Sequence, residues 1–164
     1  MKNIYILFLV ILCISCNDND DPEIIDGVVI NENVDVYLKN SAGENILGTD
    51  KYPENSISIK YLIGGKEFGY GYNSTGAILD NPKGFFIEKL SEQETGKGMR
   101  IFLNADSSED YPITYLRWNE TETDILKAKY KRMGGSVLLE KLWLNDVLVL
   151  GVEGQTTRYI TIVK

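Results

Sequence analysis

Three aromatic residues, Phe68, Tyr70 and Tyr72, alternate with Gly69 and Gly71. In an extended segment successive side chains point to opposite faces, so the three rings share one side and the glycines strip the other. Exposed, such rings form a stacking platform for sugars, whose apolar faces lie on aromatics while their hydroxyls are satisfied at the edges. Buried, they are core, and the glycines admit a neighbouring backbone. Aromatics are usually buried, so core is the expectation. Trp143 shares a strand face with Leu139 and Lys141, a mixed side, which marks it as a partly exposed candidate for ligand contact. Trp118 lies on one face with Leu116 and reads as core.

Asn119-Glu120-Thr121-Glu122-Thr123-Asp124 sets three carboxylates two positions apart. In an extended segment they face one way, which suits a calcium ion or the acid and base of a glycosidase. A polar stretch between strands is by default a solvated loop, and that is the expectation here. Histidine is absent from the 164 residues. Its absence removes the commonest general base, the usual activator of a nucleophilic serine or cysteine, and the main zinc ligand. Carboxylate-pair chemistry, a Ser-Lys arrangement and calcium binding survive the count, but no Ser-Lys motif is present. No catalytic residue, metal or cofactor is expected.

The N-terminus carries the strongest chemical signal. Lys2 precedes an apolar run from Ile4 to Leu12, and Ser15 stands directly before Cys16. A basic n-region, an apolar h-region and a small residue at the cleavage point make a signal peptide. A cysteine immediately after that point is the pattern of a bacterial lipoprotein, with Cys16 becoming the first residue and carrying acyl (palmitate-type) chains. The apolar run falls short of the roughly 20 residues needed to span a bilayer. Residues 1–15 are therefore expected to be removed, and 16–33 to form a lipidated, acidic, flexible tether. Asp18, Asp20 and Asp21 belong to a stretch with too little apolar surface to fold, and they lack the glycine and distal glutamate of an EF-hand loop. With both cysteines in or next to the signal, the mature chain has no disulfide to lean on and its core must carry stability alone.

Loss of the signal and its one lysine takes the formal charge from −7 to −8. Five of the acids, Asp18, Asp20, Asp21, Glu23 and Asp26, lie in the tether. A chain of this sign is repelled by nucleic acid. The basic stretch Lys127, Lys129, Lys131 and Arg132 reads as the wet side of a strand.

Residues 34–164 must position whatever chemistry remains. Their pattern is period two, broken by turn residues every ten or so positions, which predicts an all-β fold. Strands are predicted near 34–38, 57–61, 68–72, 85–87, 100–103, 113–118, 137–144, 147–150 and 159–163. Gly64-Gly65 suits a two-residue hairpin turn. The stretch 124–132 fits a helix through Leu126, Tyr130 and Met133, but its lysines alternate strictly and its neighbours are strands, so a strand is predicted. The expected architecture is a single immunoglobulin-like antiparallel β-sandwich.

An acidic cluster within a few residues of the lipid-bearing cysteine resembles the export signal of surface lipoproteins in the Bacteroidota. The stretches 34–45, 111–119 and 141–146 likewise resemble uncharacterised lipoproteins of that group. The resemblance implies attachment to the outer membrane through the N-terminal lipid, display at the cell surface with Asp18, Asp20 and Asp21 as export signal, and a β-rich domain. It supplies no substrate, cofactor or active-site residue. The function expected is that of a non-catalytic binding or structural accessory domain whose partner is a glycan or another envelope protein. The alternatives are a carbohydrate-binding component of a glycan-capture system and, third, a carboxylate-based glycoside hydrolase.

Overall fold

The structure is a computed structural model that describes residues 27–71, 83–92, 94, 96–151 and 159–164. Among the described residues eleven strands follow one another. They are β1 (Ile30–Asn31), β2 (Asn33–Lys39), β3 (Ser58–Ile63), β4 (Lys66–Gly69), β5 (Phe85–Glu88) and β6 (Gly98–Phe102), then β7 (Ile113–Arg117), β8 (Thr123–Met133), β9 (Ser136–Leu144), β10 (Val147–Leu150) and β11 (Tyr159–Val163). One sheet runs in the order β1-β9-β8-β7-β3-β4, with β10 also on β9; the other runs β11-β2-β6-β5. β1 and β10 share the same edge of β9 at opposite ends, Ile30 opposite Val137 and Val147 opposite Leu144.

The all-β expectation is met, and the helix alternative for 124–132 gives way to the long strand β8. The antiparallel expectation holds for most pairings. The exceptions are β1 on β9 and β11 on β2, which are parallel. Both sheets are thus mixed, because the first and last of the described strands each pair in parallel along a sheet edge. β1 and the first residue of β2 also correct the tether boundary at 33: Ile30, Asn31 and Asn33 are already paired.

Alternation explains which residues meet between the sheets. Val34, Val36 and Leu38 of β2, Met99 and Ile101 of β6, and Ile160 and Ile162 of β11 face Ile59, Leu116, Leu126, Ala128 and Leu142 of the larger sheet, and all are buried. Trp118 is fully buried, as expected, and Tyr52 from the long 40–57 connection closes over it edge-on at 5.9 Å. The hairpins turn where left-handed backbone is cheap. Gly64-Gly65 and Gly134-Gly135 all have positive φ, while Asn145 and Asp146 supply the same geometry with side chains.

β9 contains an irregularity with consequences. Lys129 pairs with Lys141, but the next residue, Tyr130, pairs with Leu139, so Glu140 is an extra residue on β9. Such a bulge reverses which face the following side chains take. Leu139 packs toward the core, whereas beyond the bulge Leu142 is the buried residue, and Lys141 and Trp143 lie outside. The expectation that Leu139, Lys141 and Trp143 share a face is corrected on this point. Gly151 is seated against the bulge, where an added Cβ would collide with the Glu140 carbonyl.

Candidate functional site

Cys16, Asp18, Asp20, Asp21 and Tyr72 lie outside the described residues. For the aromatic–glycine motif, β4 ends at Gly69, so Tyr70 is a turn residue and not part of a continuing strand. Phe68 stands opposite Tyr61. Tyr70 packs edge-on against Tyr61 of the larger sheet and at a tilt against Phe102 of the smaller one, each at 5.9 Å. Tyr61 in turn donates its hydroxyl to the Phe102 carbonyl at 2.8 Å. The glycine that accommodates this cluster is Gly84, whose added Cβ would lie 2.7 Å from the Tyr70 ring; Gly69 has only the tip of Lys60 near it. Phe68 and Tyr70 are both half-buried, and Tyr70 joins the two sheets at one edge of the sandwich.

The carboxylate trio comes apart. Asn119 Oδ1 accepts the N–H groups of Thr121 and Glu122, each at 2.9 Å, which curls the segment and cancels its extended alternation. Glu120 joins Ser56, Ser58, Arg117, Asn119 and Thr123 around an open polar depression of about 490 Å³. Glu122 accepts from the Asn119 amide. Asp124 is inside, only 3% exposed. Its carboxylate accepts from Trp118 Nε1 at 2.7 Å, Asn145 Nδ2 at 2.8 Å and Lys164 Nζ at 2.9 Å. Burial alone opposes ionisation, but these donors outweigh it and hold the carboxyl below its ordinary value. Only Glu120 and Glu122 remain in the solvated loop that was expected.

The outer face of the larger sheet gathers what the sequence leaves scattered. Register places Leu62, Ile113, Lys127, Trp143 and Leu148 in one row across β3, β7, β8, β9 and β10. A neighbouring row holds Lys60, Tyr115 and Ile125, and on the other side Lys129 stands opposite Lys141. Trp143 is half-buried, and Tyr111, 47% exposed, meets it edge-on at 5.8 Å. Lys127 Nζ lies 5.8 Å from the Trp143 ring and pairs with Asp146 at 2.7 Å. Ile125 and Leu148 are likewise exposed beside the rings. Among the described residues, Trp143 is thus the one ring of the sequence candidates that the fold sets on the outer sheet face. Sequence reasoning passed over Tyr111, which reads as a turn residue before Pro112. It also passed over Lys141, whose position depends on the bulge.

Compared with protein-family models, with curated proteins and with solved structures, the chain matches none.

Proposed function

We propose that this chain is a lipid-anchored bacterial lipoprotein, displayed on the outer membrane, whose β-sandwich binds a ligand without transforming it. The observation that carries the binding role is the aromatic pair Trp143 and Tyr111 on the outside of the larger sheet, flanked by Ile125 and Leu148. Large rings left on a sheet surface beside aliphatic side chains are the usual makings of a contact site. The same pair favours the carbohydrate-binding reading, since aromatics on the outside of a sheet suit sugar faces and the Phe68–Tyr70 cluster is spent on packing. The hydrolase reading finds less support, because Glu120, Glu122 and Asp124 diverge.

Anchoring rests on Ser15-Cys16 and the short apolar run before them. Stable attachment by lipid needs more than one acyl chain, which a processed N-terminal cysteine provides. Replacing Cys16 with Ala is expected to move the protein from the membrane fraction to the soluble fraction of cells. Retention of the variant in membranes at the wild-type level would overturn the anchoring reading.

A further inference from the structure

The outward positions of the larger sheet are basic although the chain as a whole carries −7. Its strands turn out Lys60, Arg117, Lys127, Lys129, Lys131 and Lys141. Among the described residues three carboxylates answer them: Glu67 on Arg117, Asp146 on Lys127 and Glu140 on Lys129, at 2.7, 2.7 and 3.7 Å. Among the described residues that leaves more cations than carboxylates on this face, with Lys141 standing opposite Lys129 in the row beside Trp143. Like charges directly across a sheet are unfavourable; Glu140 meets Lys129 at 3.7 Å, and Lys141, opposite Lys129 next to the exposed rings, gains from a further anion.

We propose that this face is the binding site for an acidic polysaccharide, with Tyr111 and Trp143 contacting sugar rings and Lys129 and Lys141 pairing with uronate or sulfate groups on them. The inference rests on the binding role proposed above and names its ligand class. Two features of the face fit a charged sugar polymer together: rings for pyranose faces and ammonium groups spaced along β8 and β9 for anions. Duplex nucleic acid fits less well. It carries about one charge per 1.7 Å of axis, and the acidic remainder of the chain opposes so dense a field. A polymer with one anionic group per sugar meets the lysines while exposing the rest of the protein to far less repulsion.

The test uses the full-length protein in detergent, with dextran, dextran sulfate, polygalacturonate and duplex DNA as probes in affinity electrophoresis and calorimetry. Dextran sulfate and polygalacturonate are expected to bind and dextran and DNA to bind weakly or not at all, with affinity falling as salt rises. Trp143→Ala and Lys141→Glu are each expected to weaken binding by about tenfold or more, as loss of a central contact does. Lys141→Arg should retain binding, and the Lys141 variants should keep the wild-type unfolding midpoint. Equal binding of dextran and dextran sulfate would overturn the acidic ligand while leaving a sugar-binding role in place. Equal binding of DNA and the acidic glycans, or acidic-glycan binding unaffected by both Trp143→Ala and Lys141→Glu, would overturn the site. Binding to none of the probes would overturn the inference, while the anchoring half of the proposed function is decided separately by fractionation of the Cys16 variant.

Discussion

Asp124 shows how far a single residue can depart from its neighbourhood in sequence. It ends a polar run, yet its carboxylate is sealed beneath Trp118 and tied to Asn145 and to the last residue of the chain, Lys164. Removing one member of a buried ionic cluster leaves the others unpaired, so Asp124→Ala is expected to cost about 3–5 kcal/mol, read from urea unfolding at neutral pH. The sign of the pH effect follows from the lowered folded-state titration. The stability that Asp124 contributes is fully present above the unfolded carboxyl value of about 4 and is lost as pH falls through the folded one. Wild type should therefore lose stability on acidification below that range more steeply than Asp124→Asn; parallel profiles would show that the carboxylate is not the titrating support. Tyr70 poses a simpler question. Packed between Tyr61, Phe102 and Gly84 but only half-buried, it should cost about 2–4 kcal/mol on truncation to Ala, at or below the range for fully buried aromatics. An unchanged midpoint would mean that the ring packs on nothing that matters.

Among the elements, the β9 bulge decides the most. Counting back from the Gly134-Gly135 turn without it would pair Leu126 with Trp143 and turn the indole inward; with Glu140 as the extra residue, Trp143 pairs with Lys127 and faces out. β10 adapts with an irregularity of its own between Leu148 and Leu150, and Gly151, at φ +89°, packs where only a hydrogen fits. Gly151→Ala demands both a strained backbone and a displaced Glu140 carbonyl. It is expected to destabilise by about 2 kcal/mol or more, and to change the acrylamide quenching of Trp143 while Trp118 stays shielded. A neutral Gly151→Ala in both measurements would indicate that the bulge is held by other contacts.

On the scale of the whole molecule, the fold separates its tasks. The sandwich carries its stability in the apolar layer between the sheets, and the acidic residues Asp18, Asp20 and Asp21 lie before the first described strand. If they serve surface display, replacing all three with Ala should leave the thermal midpoint of the protein unchanged and reduce its cleavage by protease added to intact cells. Equal cleavage of the variant and wild type would remove the export role from these residues.

Much of this was legible in the chain itself. Period-two alternation is a local property of strands, so the positions of β2, β5, β8, β9, β10 and β11, the hairpin turns at Gly64-Gly65, Gly134-Gly135 and Asn145-Asp146, and the burial of Trp118 follow from neighbours a few residues apart. The lipoprotein signal proposed to end at Cys16 rests on an equally local pattern. The aromatic–glycine motif stopped short as a strand where Tyr70 packs onto Phe102 of the other sheet and Gly84 just before β5, residues that no local count can bring near. The burial of Asp124 required Lys164 and Asn145, 40 and 21 positions away. Above all, the outward face of Trp143 depends on one unpaired residue in β9. Because the side-chain period of a strand is two, a single extra residue inverts every face beyond it, and whether a bulge forms is settled by pairing across the sheet and by Gly151 against it. The sequence by itself therefore determined the class of the fold and the place of its strands, while only the tertiary structure decided which side chains are left to meet a ligand.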